Sequence, residues 1–484
     1  ITIEFNLDAP QEIILDFREK PEKIKSVSVN GQTARYEFHN EHIILPEKNI
    51  VEGKNNITIK FIAGNQSLNR NDEFLYTLLV PDRARTLFPC FEQPNLKATF
   101  SLRLDIPTEW KAVSNTYITK EETKGNCKTV TFAPTEPLST YLFSFVTGKL
   151  EHQEYIEGNR KISAYYRETD SKKVAQLDTI FKQVTASLNW LEEYTNVPYP
   201  FAKYDFIILP GFQYGGMEHT GATLYNDTQM FLSENPTPDE ELRRTQLIAH
   251  ETAHMWFGDY VTMKWWNDLW LNESFAEFTS TLATAEATEW KDAWATFSSG
   301  EKSWALNQDQ LSTTHPIVAP INDLNDTYVN FDGITYAKGA SVLKQLAFYV
   351  GRTQFFEGIH NYLNRHAYSN ATLADLLAEL ELTSGRDLKA WSAQWLEESG
   401  INTIATEVEE NEDGTIKRLA LRQTAPAEHP VLRAHRLAVG FYNEDPETGK
   451  IVRTEQFDLD VDGETPIVEA AAGKPRPAFV LVND

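Results

Sequence analysis

The first 150 residues alternate between apolar and polar positions over short stretches, which is typical of β-strands. Turn residues such as Asn30-Gly31 separate these stretches at regular intervals. Strands are predicted at residues 13–17, 27–29, 42–45, 57–62, 100–106, 129–132 and 141–146. This regular spacing predicts an N-terminal antiparallel β-sandwich domain over residues 1–150.

From about residue 151 the apolar positions recur every three to four residues, which predicts helices. Thr237-Pro238-Asp239-Glu240 has the form of a capping box with proline at the first helical position, and Thr372 begins a second such box. The predicted helices cover residues 172–194, 237 to a stop at 258, 267–287, 334–350, 372 onward and 387–398. Residues 203–223 lack a clear period. Residues 151–400 are therefore expected to form a mainly helical domain.

The β pattern returns after residue 400. Strands are predicted at 415–422, 437–442, 451–459 and 478–482, between turns rich in glycine, proline and aspartate. Residues 401–484 are expected to form a small C-terminal β-sandwich. The chain as a whole is predicted to be a multidomain α+β protein with boundaries near residues 150 and 400.

Composition narrows the class of protein. The formal net charge is −25 and the sequence pI is about 4.9, which argues against a nucleic-acid partner because phosphates require a basic surface. Two cysteines exclude a disulfide framework, and no apolar run reaches the length of a membrane span. The sequence begins within a strand-like alternation at Ile1, without initiator methionine or signal peptide. We expect a piece of a longer soluble protein, monomeric, of the cytoplasm or periplasm.

Candidate chemistry centres on the sequence HETAH at residues 250–254. On a helix, His250 and His254 lie about 5–6 Å apart at Cβ, so both imidazoles can bind one metal ion. Glu251 lies about 100° around the helix and can reach a water molecule without binding the metal. With Glu273 as the third ligand, the His₂Glu set is that of a catalytic zinc with an open fourth position. This pattern predicts a metallohydrolase acting on amide bonds.

A second candidate feature is the sequence Gly215-Gly216-Met217-Glu218. Two glycines allow a backbone edge to approach an extended peptide closely and pair with it. The Glu218 carboxylate beside that edge would bind a cation such as a terminal ammonium, although an ordinary turn is the alternative. Amide hydrolysis also requires a stabiliser for the oxyanion besides the metal, and a tyrosine hydroxyl is suitable. The chain has 19 tyrosines, and the pattern does not choose among them.

Several of these segments together resemble one known family. The runs GGMEH at 215–219, HETAHMWFGDYVTMKWWNDLWLNES at 250–274 and TYAKGA at 335–340 are similar to those of the zinc aminopeptidase N family of gluzincin metallopeptidases. RTLFPCF at 85–91 resembles the signature of that family's first domain. The resemblance extends over essentially the whole chain. It implies a β-sandwich, a thermolysin-like catalytic domain and a small β-domain in that order, with a following helical domain absent here.

The resemblance implies roles for the catalytic residues. His250, His254 and Glu273 would bind one Zn²⁺ per chain, and Glu251 would act as general base. Tyr336, within the run at 335–340, would stabilise the oxyanion.

On the substrate side, the resemblance implies that Glu218 binds the α-amino group and that the peptide lies along residues 215–217. Three features depart from the family pattern, and one of them is Glu92-Gln93-Pro94 after the first-domain signature, where the family usually has Asp-Glu-Pro. His219 stands where the family usually has asparagine, and a second amine anchor falls on Val80. The amine is therefore expected to be bound mainly by Glu218.

These observations predict a zinc aminopeptidase that releases single residues from the free N-termini of peptides, as in peptide catabolism. One alternative is a thermolysin-like endopeptidase. Another is a non-catalytic peptide-binding scaffold with a relic zinc site, which the presence of Glu251, Tyr336 and all three ligands disfavours.

Overall fold

The computed structural model describes residues 1–484, and these residues form two compact units. The first unit contains residues Ile1–Trp190, Pro198–Trp266 and His366–Ala371. The second contains Leu191–Val197, Asn267–Arg365 and Thr372–Asp484. The division into three domains near residues 150 and 400 is a different description of the chain and stays a prediction.

The N-terminal part of the first unit consists of antiparallel strands, so the predicted β-rich region is confirmed. Its strands are β1 (Thr2–Leu7), β2 (Ile13–Asp16), β3 (Ile24–Val29), β4 (Gln32–Thr33), β5 (Glu37–His39), β6 (His42–Leu45), β7 (Gly53–Phe61), β8 (Leu68–Arg70), β9 (Phe74–Thr77), β10 (Arg103–Pro107), β11 (Lys111–Ser114), β12 (Ile118–Lys124), β13 (Cys127–Phe132) and β14 (Phe145–Gly148). They form sheets ordered β1-β7-β3-β4, β2-β6-β5, β11-β14-β9-β8 and β10-β13-β12.

The alternation of buried and exposed side chains along the sequence explains why these segments form strands. In β7, Ile57 and Ile59 are fully buried while Thr58 between them is partly exposed, as expected for a strand with one face on a core. The strand predicted at 141–146 is wrong in its first half, where Thr140–Leu142 is a 3₁₀ turn before β14. Tyr141 and Leu142 are buried in the turn, and a short apolar run does not distinguish the two conformations.

A five-stranded sheet follows. Its strands are β15 (Glu151–Glu157), β16 (Arg160–Tyr166), β17 (Tyr204–Leu209), β18 (Gly216–Met217) and β19 (Thr223–Asn226). The strand order is β15-β16-β17-β19-β18, with β17 parallel to both neighbours and β18 at the edge, antiparallel to β19. The prediction of a helical period from residue 151 is therefore wrong for β15 and β16, whereas β17 and β18 lie in the segment 203–223, for which no period was predicted. Every residue of β17 is buried, so the strand shows no alternation.

The first unit also contains the helix that carries the HETAH sequence. The remaining elements up to residue 263 are α1 (Ser171–Val174), α2 (Leu177–Thr195), α3 (Asp227–Met230), α4 (Pro238–Ala253) and β20 (Val261–Met263); residues 191–195 of α2 belong to the second unit. β20 pairs in parallel with β21 (Ser369–Ala371). The helix predicted at 172–194 is thus two helices. The predicted capping box of α4 is confirmed, because the Thr237 hydroxyl accepts from the Glu240 amide and the Glu240 carboxylate accepts from the Thr237 amide.

The second unit begins with helices, which confirms a helical region in this part of the chain. Its helices are α5 (Trp270–Ala287), α6 (Ala293–Ser299), α7 (Glu301–Asp309), α8 (Leu324–Thr327), α9 (Gly339–Val350), α10 (Arg352–Arg365), α11 (Leu373–Ser384) and α12 (Lys389–Trp395). The predicted helix at 334–350 starts as a π-helical turn at Ile334–Lys338 before α9. None of the helices in the chain has both the length and the apolar character required to cross a membrane.

The C-terminal strands of the second unit form two sheets around an apolar cluster. The strands are β22 (Thr403–Glu410), β23 (Ile416–Thr424), β24 (His435–Glu444), β25 (Ile451–Val461) and β26 (Phe479–Val482). β22 pairs with β23, and the other sheet has the order β25-β24-β26. Buried side chains of β23 and β24, such as Leu421 and Val439, make up much of the cluster. The sequence prediction missed β22, whose residues are mostly charged or small.

Candidate active site

The two histidines of α4 face each other at its C-terminal end. The Nε2 atoms of His250 and His254 are 3.1 Å apart, and candidate ligand atoms of these residues and Glu273 all lie within 4.8 Å of one another. Two imidazole nitrogens and one carboxylate are the donors that zinc prefers, with Zn–N distances of about 2.0–2.1 Å. The residues present therefore fit a single metal ion.

A hydrogen bond determines which nitrogen of His254 is available to a metal. Its Nδ1 lies 3.0 Å from the carbonyl oxygen of Phe257. A carbonyl oxygen only accepts, so Nδ1 carries the hydrogen and the lone pair is left on Nε2, the atom that faces His250. Orientation of a ligand histidine by a backbone carbonyl is a common arrangement in metal sites.

Glu273 lies in the first turn of α5, where its side chain is almost completely buried. The next residue, Ser274, donates from its hydroxyl to the carbonyl oxygen of Thr335 at 2.5 Å. Gly339 packs so closely on Ser274 that a Cβ at position 339 would lie 1.9 Å from the Ser274 hydroxyl. These contacts fix the π-helical turn of Tyr336 against the beginning of α5.

Tyr336 lies in the middle of this π-helical turn and is half-buried. Asp332 begins the turn, because its Oδ1 accepts from the amides of Ile334 and Thr335 at 3.1 and 3.0 Å. The Tyr336 ring lies 6.5 Å from that of Trp304. Single π-helical turns inside helices often occur at functional sites.

The edge strand β18 lies directly beside the Glu251 side chain. A Cβ at Gly216 would lie 2.3 Å from Oε1 of Glu251 and 2.4 Å from its Cδ, so the carboxylate occupies the space that any other residue at 216 would need. Glu218 follows β18 and is buried. The structure thus brings the Glu251 carboxylate next to the strand that leads into Glu218.

This contact gives a prediction for Gly216→Ala. The new methyl group would displace the Glu251 carboxylate. If Glu251 is the general base that the sequence predicts, its misplacement by about 1 Å should cost about 100-fold in rate. We expect kcat for a peptide substrate to fall by about that factor. Gly300→Ala is the control, because Gly300 lies between α6 and α7 and the one atom within 4 Å of its Cβ would be the Thr296 carbonyl oxygen at 3.3 Å. Equal activities of the two variants would contradict the contact.

The two positions at which the sequence departs from the family's predicted amine-binding pattern, His219 and Val80, carry no charge. His219 is fully buried, neither of its ring nitrogens has a hydrogen-bond partner, and burial lowers its pKa to about 3. The imidazole is therefore neutral at any ordinary pH. Val80 is also buried and offers no polar side-chain atom. Among Glu218, His219 and Val80, only Glu218 could bind a cation.

Sequence reasoning missed two contributors to this site. The Phe257 carbonyl is a backbone group, so no residue type marks it. The sequence predicted that Gly216 belongs to a peptide-binding backbone edge. It did not predict the contact of Gly216 with Glu251, because that contact depends on how the sheet packs on α4.

Comparison with known proteins gives matches in two parts of the chain. The model of the Peptidase family M1 domain matches residues 180–396. The model of the Peptidase M1 N-terminal domain matches residues 2–142.

Curated relatives match over larger parts of the chain. Aminopeptidase N of Streptomyces lividans is 42% identical over 486 residues, which is 95% of this chain and 56% of that protein. Leucyl aminopeptidase of Saccharolobus solfataricus is 32% identical, over 83% of this chain and 51% of that protein. Probable aminopeptidase 2 of Sulfurisphaera tokodaii is 38% identical, over 67% of this chain and 41% of that protein. The chain spans about half the length of these relatives.

Proposed function

Since the chain belongs to peptidase family M1, we propose that it is a zinc metallo-aminopeptidase that hydrolyses the first peptide bond of peptides with a free N-terminus. The observation that carries this proposal is the group formed by His250, His254 and Glu273, next to a Glu251 carboxylate that lies against the edge strand leading into Glu218. The names of the relatives, which are aminopeptidases, support it. The proposal includes a thermolysin-like fold for residues 151–400 and a small β-sandwich for 401–484.

In this proposal, His250, His254 and Glu273 bind one zinc ion per chain through Nε2 of each histidine and a carboxylate oxygen. Zinc in such a site lowers the pKa of water towards neutrality and polarises a carbonyl group. The hydrogen bond from His254 Nδ1 to the Phe257 carbonyl oxygen keeps Nε2 of His254 directed towards Nε2 of His250.

Glu251 supplies the acid–base chemistry. Its carboxylate accepts a proton from the attacking water and then donates it to the nitrogen of the leaving amine. The carboxylate lies against Gly216, so a peptide paired with β18 would bring its backbone close to this base. Tyr336 donates its phenolic hydrogen to the oxygen that becomes negatively charged when the carbonyl is attacked.

Glu218 makes the enzyme specific for chain ends. Its buried carboxylate would bind the substrate's ammonium group through a charge-assisted hydrogen bond, which is stronger than a hydrogen bond between neutral groups. A peptide without a free amine would lose this interaction. Binding therefore places the first peptide bond, and no later one, at the catalytic residues.

The test measures the hydrolysis of a peptide with a free N-terminal amine and of the same peptide with an acetylated N-terminus, before and after zinc is removed with a chelator. We expect the acetylated peptide to show kcat/KM at least about 30-fold lower, because loss of one partner of a buried charge pair costs at least about 2 kcal/mol. A chelator should abolish activity, and added zinc should restore it. Equal cleavage of both peptides would indicate an endopeptidase. Zinc binding without turnover of either peptide would indicate a non-catalytic scaffold.

A further inference from the structure

The turn that follows the metal-binding helix α4 is fixed by side chains from the N-terminal β-rich region. The backbone reverses there, with the Asp259 amide donating to the His254 carbonyl oxygen at 3.0 Å and the Gly258 amide to that of Val261 at 2.9 Å. Gly258 has a φ of 133°, a conformation that side chains rarely permit. Glycine permits this φ, and side chains from distant parts of the sequence contact the turn.

Lys97 makes one of these contacts from 162 residues away in the sequence. Its Nζ donates to the carbonyl oxygen of Asp259 at 3.0 Å. Burial lowers the pKa of the Lys97 ammonium to about 7, and the Asp259 charge acts in the opposite direction. The Asp259 side chain is itself completely buried. The Lys97 ammonium is thus held inside the protein by a backbone carbonyl of the turn, and a hydrogen bond from a charged donor is stronger than one between neutral groups.

Tyr141 makes a second contact with the same turn. Its hydroxyl donates to the carbonyl oxygen of Gly258 at 3.4 Å, and the Thr262 hydroxyl donates to the same oxygen. The Tyr141 ring also packs on Trp266, with ring centroids 5.6 Å apart. Two consecutive carbonyl groups of the turn, those of Gly258 and Asp259, therefore receive donors from residues before position 150.

The preceding carbonyl group, that of Phe257, orients the imidazole of His254, one of the predicted metal ligands. Phe257 accepts from Nδ1 of His254 at 3.0 Å, and its peptide group is directly bonded to Gly258. A rotation of the Gly258 or Asp259 peptide would therefore move the Phe257 oxygen and with it the hydrogen bond that orients the imidazole.

We propose that Lys97 is a positioning residue of the zinc site, acting through the Phe257–Asp259 turn on the orientation of His254, and that Tyr141 assists it. This inference rests on the proposed function in one respect, namely that His250, His254 and Glu273 bind zinc. It assigns the N-terminal β-rich region a part in metal retention. Outer partners of metal ligands typically change metal affinity by about 10–100-fold when they are removed.

The test measures zinc affinity and zinc dissociation by competition with a chromophoric chelator, on the full chain, without any assay of activity. We expect Lys97→Met to weaken zinc binding by about 10–100-fold. Tyr141→Phe removes only one hydroxyl and should fold normally. Its expected weakening is about two- to tenfold, the effect of one hydrogen bond.

Lys203→Met is the matched control for general destabilisation. Lys203 is also buried, and its Nζ pairs with Asp205 at 2.7 Å but makes no hydrogen bond to the turn after α4. We expect this variant to lower the melting temperature of the metal-free protein and to retain the wild-type zinc affinity.

The outcomes separate this inference from the proposed function. Wild-type zinc affinity in both Lys97→Met and Tyr141→Phe would overturn the positioning role while leaving the aminopeptidase proposal intact. A loss of affinity in Lys203→Met equal to that in Lys97→Met would also overturn it, because the effect would then reflect stability alone. A wild-type chain that binds no zinc would overturn both.

Discussion

Replacing Glu251 with glutamine is expected to lower kcat by about three orders of magnitude while the protein retains one zinc ion per chain. General acid–base catalysis contributes about 10²–10⁴-fold in enzymes of this kind. Glutamine has the shape of glutamate, so it fits the space beside Gly216, but its amide cannot accept the proton of the attacking water. Steady-state kinetics on a free-amine peptide, with zinc quantified on the same sample, measure both parts of the prediction.

Glu241→Gln is the control for this experiment. Glu241 lies on the same helix, α4, in its first turn, and the substitution removes the same charge far from the catalytic end. It should leave kcat unchanged. Full activity in Glu251→Gln would refute the general-base role, and loss of zinc would mean that Glu251 is needed for metal binding.

Replacing Tyr336 with phenylalanine is the second large effect. We expect kcat to fall by about 10²–10³-fold, the usual cost of removing one oxyanion donor. KM should change little, because the hydroxyl acts on charge that develops only in the transition state. The turn itself should persist, since Asp332 caps it through backbone amides and Ser274 bonds to the Thr335 carbonyl. The measurement is kcat and KM on one peptide at saturating zinc.

Tyr349→Phe provides the matched comparison. Tyr349 lies on α9, the continuation of the same helix, and its ring stacks on Trp391 with centroids 6.2 Å apart. Loss of its hydroxyl should not affect turnover. If Tyr336→Phe changed KM by as much as kcat, Tyr336 would bind substrate rather than stabilise the transition state.

Local features of this protein were readable from the sequence. The capping box at Thr237 fixes the start of α4, and the spacing of His250 and His254 then places both imidazoles on one side of that helix. Such features depend on residues within a few positions of one another. The family membership was also predictable, because the motifs around these residues are long and specific.

Other features depended on contacts between distant segments. β17 is parallel to β16 and to β19, and its continuous burial removed the alternation by which strands are recognised. The π-helical turn at Tyr336 has the apolar spacing of an ordinary helix, so its start could not be separated from α9. The pairing of Lys97 with the Asp259 carbonyl spans 162 residues and has no local signal.

The shortness of β18 has a consequence for solubility. An unpaired strand edge that can accept a peptide can equally accept the edge of another molecule, and long flat edges lead to aggregation. β18 contains only Gly216 and Met217, and the buried carboxylate of Glu218 comes directly after them. Two residues offer too few backbone hydrogen bonds for two protein molecules to join through this edge. If a peptide pairs with β18 as proposed, the same short edge would give two chains little opportunity to associate through it.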